Sequence, residues 1–279
     1  MGWSDFFAVQ LTQDERQSSV VARVVEPLRG LSRVECVLGE IWAEGPQNVG
    51  VGDWVVGTVR GALEKEKRLS IARVLDRKTK LSRMAPSGKK YEQILCANAD
   101  VVFVIVAMTQ ALHLSGIERA IAAATAGGIS PVLILTKADA CEMPSTIIEP
   151  ITKNFSAIPI HVVSIAQKKG IEALAGYFGS ENTVVLLGAS GAGKSTLTNH
   201  FIESQTQLVS GTRERDEKGR HTTTARRLHF LPSGGMIVDS PGIRELQLWE
   251  APEGKPKAHG AKRSKFPKGP SRFYDEDES

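Results

Sequence analysis

Thr183-Val184-Val185-Leu186-Leu187-Gly188-Ala189-Ser190-Gly191-Ala192-Gly193-Lys194-Ser195-Thr196 is the stretch that decides the fold of this chain. An apolar run of strand length enters a glycine-rich turn, and a helix-like segment, residues 196–202, follows it. This is the G-x-x-x-x-G-K-[ST] pattern in the strand, turn and helix context that gives it meaning. Glycines let the backbone curl until successive N–H groups and the helix N-terminus face one point, which suits phosphate oxygens. Lys194 then neutralises the β- and γ-phosphates, and the Ser195 hydroxyl completes a magnesium shell. Gly188, Ala189, Ser190, Gly191, Ala192, Gly193, Lys194, Ser195 and Thr196 are the expected phosphate contacts. The plain alternative, a chance glycine-rich turn, does not account for the flanking strand and helix.

The apolar runs at residues 101–106, 131–136, 159–164 and 183–187 alternate with helix-length segments, the rhythm of buried parallel strands joined by helical crossovers. An α/β domain with a mostly parallel sheet is expected. At the end of the second run, Thr136-Lys137-Ala138-Asp139 resembles the Asn-Lys-x-Asp guanine motif of GTPases, with Thr136 where that motif has Asn. An ionised Asp139 accepts hydrogen bonds from the N1–H and exocyclic amine of guanine, a pair that adenine lacks, so discrimination of roughly 10⁴-fold follows. The stem of Lys137 would lie over the base. Ser164-Ile165, after the next run, stands where a backbone N–H meets guanine O6. Asp239-Ser240-Pro241-Gly242 resembles the Asp-x-x-Gly switch, in which Asp239 holds magnesium through water and the Gly242 N–H senses the γ-phosphate. Gly219-Arg220-His221-Thr222-Thr223-Thr224 offers the threonine that closes over magnesium: Thr223, with Thr222 next, although a plain β-strand start also explains the threonine run.

The base-reading motifs precede the phosphate loop, which precedes both switches, so the domain is circularly permuted. That order resembles the bacterial ribosome small subunit-dependent GTPase A family over roughly residues 18–250. Val51-Gly52-Asp53-Trp54-Val55, Ala97-Asn98-Ala99-Asp100 and the Gly219 to Thr224 run strengthen the likeness. The resemblance implies an OB-fold N-terminal domain, magnesium-dependent GTP hydrolysis stimulated by the small ribosomal subunit, contact with its rRNA, and a role in its late assembly. It also implies a zinc site of three cysteines and a histidine, but no cysteine follows Cys141 here, and His259 alone cannot make a tetrahedral site.

Residues 20–25, 33–38, 54–59 and 69–75 are short β-branched runs between turn signals, consistent with a small all-β barrel. Residues 1–17 are an N-terminal extension, 18–75 the barrel, 76–93 a basic linker, 94–250 the GTPase domain and 251–279 a tail. The tail carries Lys255, Lys257, Lys262, Arg263, Lys265, Lys268 and Arg272 before the acidic run 275–278, and its scarcity of apolar residues predicts disorder. It stands as an alternative RNA contact in place of the zinc domain or as the mark of an altered chain. In the barrel, Arg23, Arg29, Arg33 and Arg60 are candidate RNA contacts, with Trp42 and Trp54 as stacking surfaces or, for Trp54, core. With a net charge of +4, three scattered cysteines and no apolar run near 20 residues, neither export, membrane insertion nor a disulfide framework is expected. A cytoplasmic monomer is expected.

Phosphoryl transfer to water asks for an aligned nucleophile and charge stabilisation rather than covalent help. Ile243 stands where many GTPases have glutamine after the switch glycine, and an apolar side chain cannot orient water. Intrinsic hydrolysis is expected to be slow, with His221 and Lys194 as the catalytic candidates. A hydrogen-bonding residue at a strand edge accounts for His221 equally well. Arg213, Arg215 and Arg220 are either RNA contacts, an internal finger or solvated loop charges. Two rivals stand beside this reading: a GTP-dependent RNA-binding scaffold that does not hydrolyse, and an ATP-using P-loop kinase.

Overall fold

The computed structural model describes residues 1–28, 30–46, 48–61, 63, 66–84, 92–179, 181–209, 226–232 and 234–239. His221, Thr222, Thr223, Gly242, Ile243, Arg29, Arg213, Arg215, Arg220 and the tail therefore lie outside the described residues. Among the described residues, no helix is long and apolar enough to cross a membrane.

Five strands close into a barrel in the order β1-β2-β3-β5-β4: β1 (Val20–Pro27), β2 (Leu31–Cys36), β3 (Gly39–Glu44), β4 (Trp54–Arg60) and β5 (Arg68–Val74). All pairings are antiparallel except β3 with β5. The strand β3 is absent from the expected set. Its inward positions are only Ile41 and Ala43, too few to register as an apolar run, and Gly39 with φ +83° makes the turn at residues 37–38 that separates it from β2. Ala22, Val24, Val34, Ala43, Val55 and Leu69 fill the interior. This is the OB-like barrel the resemblance implied.

The N-terminal extension packs against this barrel. Helix α1 (Asp5–Ala8) delivers Phe7, which with Trp3 surrounds Trp54; Trp54 is 2% exposed and is core. Helix α2 (Gln13–Ser18) opens with a capping box between Thr12 and Glu15, and Arg73 of β5 holds Glu15 with two hydrogen bonds of 2.7 and 2.8 Å.

The span read as a linker contains a strand, β6 (Lys80–Met84), which pairs with β7 (Glu92–Ala97) in an antiparallel ribbon. At Gly52, φ is +88° and a Cβ would lie 2.2 Å from the Ala97 carbonyl oxygen, so only glycine lets the barrel approach β7 this closely.

The second domain is a six-stranded sheet in the order β10-β9-β8-β11-β13-β12. Its strands are β8 (Val101–Ala107), β9 (Ser130–Thr136), β10 (Ile160–Val162), β11 (Thr183–Gly188), β12 (Arg227–Phe230) and β13 (Met236–Asp239). Only β12 runs antiparallel. It escaped the sequence reading because an edge strand of four residues with alternating burial carries little apolar signal.

Alternate residues of the central strands face opposite layers. Val102, Val104, Leu133 and Leu135 meet α3 (Leu114–Ala126) and α4 (Ser145–Asn154), whereas Phe103, Ile105, Ile134 and Leu186 meet α5 (Glu172–Ala175) and α6 (Lys194–Val209). Each such fully buried side chain contributes about 1.5–3 kcal/mol. Helix α3 follows β8 on one face and α6 follows β11 on the other, so the chain diverges between these neighbouring strands. Such a switch point opens a crevice at the strands' carboxyl ends.

Candidate functional site

The crevice holds the phosphate loop. Gly191 with φ +73° and Gly193 with φ +98° are in the left-handed region, where a side chain would strain the backbone. The Ala192 N–H donates to the Ala189 carbonyl at 3.2 Å and closes the turn. Helix α6 starts at Lys194, so its first amides, which have no partner within a helix, face the loop. The buried Lys194 Nζ donates to the carbonyls of Gly188 at 2.8 Å and Ala189 at 2.9 Å. Burial pulls the Lys194 ammonium below the ordinary lysine range, opposed by the Asp239 carboxylate; burial raises Asp239, opposed by Lys194. These opposed effects put Asp239, the last residue of β13, within electrostatic reach of the phosphate loop.

The magnesium expected here has its chemistry in two hard oxygen donors, the exposed Ser195 hydroxyl and the partly buried Asp239 carboxylate. A cation that keeps several waters and needs few protein oxygens fits this set. Among the described residues no group of three or more His, Cys, Asp or Glu could hold a metal ion.

Thr136 ends β9, and its hydroxyl donates to the Ala192 carbonyl at 2.6 Å. Through that bond the loop that follows β9 is fastened to the phosphate loop. Lys137 then adopts φ +59°, a left-handed conformation costing a non-glycine residue roughly 1–2 kcal/mol. This reversal starts the 3₁₀ turn Ala138–Ala140 that carries Asp139. The Ser164 hydroxyl donates to Asp139 Oδ1 at 2.5 Å and accepts from the Gln167 N–H at 3.1 Å. A reciprocal backbone pair between Ser164 and Lys169 holds that second loop, with Lys168 at φ +53°. Lys137 and Asp139 are exposed, and Ile165, next to Ser164 in sequence, is partly buried.

The structure thus brings Thr136, Asp139, Ser164 and the 188–195 loop into one bonded assembly. Two residues of it were not read from sequence. Gln110, in the turn after β8, donates from Nε2 to the Ser190 carbonyl at 3.1 Å. Gln167 supplies the amide that fixes the Ser164 hydroxyl. Neither belongs to a contiguous motif; the one available signal was that Gln110 follows an apolar strand in an α/β pattern.

On the barrel, Arg23 is corrected from surface to interior: it is 1% exposed. Its guanidinium donates to the carbonyls of Met1 at 2.5 Å, Gly52 at 3.4 Å and Asn98 at 3.3 Å and to the Thr183 hydroxyl at 2.9 Å. Burial lowers it to about 10, still protonated at neutral pH. On β1 it alternates with Ala22 and Val24, which fill the barrel, so it points out of the barrel toward the start of the parallel sheet. Trp54 is likewise enclosed, whereas Trp42 is partly exposed with Arg33 4.5 Å above its ring, and Arg60 is exposed. Arg33 also pairs with Glu40.

An α/β sheet with its phosphate loop on the fourth strand of its own chain order, and an OB-like barrel before it, defines a circularly permuted P-loop GTPase. A family model described as RsgA GTPase matches residues 74–249. The small ribosomal subunit biogenesis GTPase RsgA 2 of Vibrio vulnificus (strain CMCP6) is 35% identical over 257 residues, covering 91% of this chain and 71% of that protein. The small ribosomal subunit biogenesis GTPase RsgA of Methanosarcina acetivorans is 39% identical over 222 residues, 80% of this chain and 59% of that one. This chain belongs to the RsgA GTPase family. Two solved structures share the fold. YjeQ from Thermotoga maritima matches with a TM-score of 0.58 and 24% identity, covering 82% of this chain and 76% of that one. YloQ, described as a circularly permuted GTPase, matches with a TM-score of 0.53 and 20% identity, covering 84% and 75%.

Proposed function

We propose that this protein is a cytoplasmic GTPase that assists late maturation of the small ribosomal subunit, hydrolysing GTP to GDP and phosphate when the subunit binds. The supporting observation is the bonded path from Ser164 through Asp139 and the β9 loop to Thr136 and the phosphate loop. It joins a carboxylate suited to guanine to a glycine turn suited to a triphosphate. Relatives named small ribosomal subunit biogenesis GTPases support the substrate and the partner.

In this reading Asp139 accepts from the N1–H and exocyclic amine of guanine, Lys137 covers the base, and a backbone N–H at Ile165 meets O6. Gly188 to Thr196 enclose the phosphates, and Lys194 exchanges its two carbonyl partners for phosphate oxygens. Ser195 and Asp239 hold magnesium, with Thr223 joining when GTP is present; the ion, when bound, spreads charge from the β- and γ-oxygens. Gly242 senses the γ-phosphate, and His221 orients water that Ile243 cannot. The barrel, through Arg33, Arg60 and Trp42, and the basic segments contact rRNA, so binding weakens steeply with salt. The protein acts as a monomer.

Steady-state GTP turnover with and without small subunits, and competition of ATP against a fluorescent GTP analogue, test the reading. Subunits should raise turnover and GTP should be preferred. Asp139→Asn should lower GTP affinity roughly 100-fold or more, since it weakens two charge-assisted hydrogen bonds. Turnover indifferent to subunits with intact GTP binding supports a scaffold instead, and preference for ATP refutes the assignment.

A further inference from the structure

The Gly191 and Gly193 amides of the phosphate loop are aimed by bonds on the far side of their own peptides. A trans peptide is planar, with its C=O and N–H pointing in opposite directions, and the described chain has no cis bonds. Whatever captures the carbonyl of residue i therefore orients the N–H of residue i+1. The Thr136 hydroxyl captures the Ala192 carbonyl at 2.6 Å, turning the Gly193 N–H away from Thr136. Two peptides earlier, Gln110 Nε2 captures the Ser190 carbonyl at 3.1 Å, turning the Gly191 N–H away from Gln110. Two left-handed glycines with amides aimed to the side opposite their braced carbonyls form a concave set of donors, the geometry that binds anions.

Gln110 is well held for this task although it is exposed. Its own N–H donates to the Ala107 carbonyl at 3.1 Å, and the Met108 N–H donates to the Thr136 carbonyl at 2.9 Å. The turn after β8 is thereby hooked to the end of β9 and reaches the apex of the loop after β11. This turn lies at the switch point of the sheet, beside the crevice. A carboxamide suits the position: it donates to a carbonyl without bringing a charge to the rim of a site that must take a polyanion.

We propose that Gln110 is a positioning residue of the phosphate loop, holding the Ser190–Gly191 peptide so that the Gly191 N–H faces the β- and γ-phosphates. The proposal rests on the nucleotide assignment above and adds a residue to it. Gln110 touches the loop, and the loop touches the nucleotide. Its loss should be felt in proportion to the phosphates beyond the first.

Gln110→Glu keeps the shape, removes the donor and sets an anion against the Ser190 carbonyl; Gln110→Ala removes the contact without adding charge. Binding of GTP, GDP and GMP to the full-length protein, read by displacement of a fluorescent GDP analogue, is compared with the melting temperature. One neutral hydrogen bond corresponds to about a 3- to 10-fold change. Gln110→Ala should weaken GTP and GDP by that factor and leave GMP within about twofold, with unchanged melting; Gln110→Glu should weaken GTP and GDP further. Equal loss for GMP, or no loss for GTP and GDP in either variant, overturns the proposal. A wild-type protein that binds no guanine nucleotide sinks the nucleotide assignment as well, whereas wild-type binding with indifferent variants sinks only the role of Gln110.

Discussion

Lys194 and Arg23 sit at opposite ends of one strand. Gly188, the last residue of β11, gives its carbonyl to Lys194, and Thr183, the first, gives its hydroxyl to Arg23. Both cations are buried, at 6% and 1% exposure, and both are solvated by the chain's own neutral oxygens. The Arg23 acceptors come from the N-terminus, the barrel, the segment before β8 and the start of β11, so the planar guanidinium pins four parts of the chain. The Lys194 acceptors are two adjacent carbonyls of one loop, at the end of a flexible stem. Phosphate oxygens can replace those carbonyls without unfolding anything. The same chemistry thus serves as a structural pin where its partners are distant in sequence and, in the proposed function, as a ligand cation where they are local and exchangeable.

That contrast is open to a direct break. Lys194→Ala should reduce GTP turnover about 100-fold or more while the urea midpoint stays nearly constant. Arg23→Ala should do the reverse, costing about 3 kcal/mol through a cavity and orphaned acceptors, with guanine nucleotide binding retained by the folded fraction. If Lys194→Ala unfolds the protein, or Arg23→Ala leaves its unfolding curve in place, the two roles have been misassigned.

A third cation sharpens the comparison at the rim. Arg227, the first residue of β12, bonds Glu26 of β1 at 2.9 Å and Glu40 of β3 at 2.6 Å. These pairs join barrel and sheet, but all three side chains are partly exposed, so water and salt screen them. A double-mutant cycle of Arg227→Ala with Glu26→Ala should give a coupling of about 0.5–1 kcal/mol that shrinks in high salt. A coupling as large as the loss in Arg23→Ala would mean that the rim carries the interface.

The smallest expected effect is at Glu15. The Arg73 guanidinium, helped by the Thr12 N–H, holds its carboxyl down at about 2 against an ordinary 4.5. A depressed carboxyl stabilises the fold above its unfolded value, and that contribution fades as pH falls from about 4.5 through about 2. Acid titration of stability should therefore lose a shallow component in Glu15→Gln; an unchanged acid limb would show that α2 docks without this pair.

Much of the candidate site's geometry was legible because its pieces are contiguous. The 188–195 run carries its own glycines, lysine and hydroxyl, and four neighbouring residues carry the lysine and carboxylate suited to guanine. The barrel was legible as a class, although β3 was not, since two inward residues make no periodicity. Arg23 was misread because an arginine on a strand with mixed neighbours looks like any surface basic residue. Its burial depends on acceptors at Met1, Gly52, Asn98 and Thr183 arriving together.

Local order along the chain dictated the phosphate loop, its permuted place after the Thr136 to Asp139 run, and the alternation of buried strands with helices, because each follows from neighbours a few residues apart. Folding decided which groups brace those loops. Gln110 meets Ser190 across 80 residues, Thr136 meets Ala192 across 56 and Ser164 meets Asp139 across 25. A hydrogen bond needs its two atoms within about 3 Å, and only the packed sheet brings partners so distant in sequence that close.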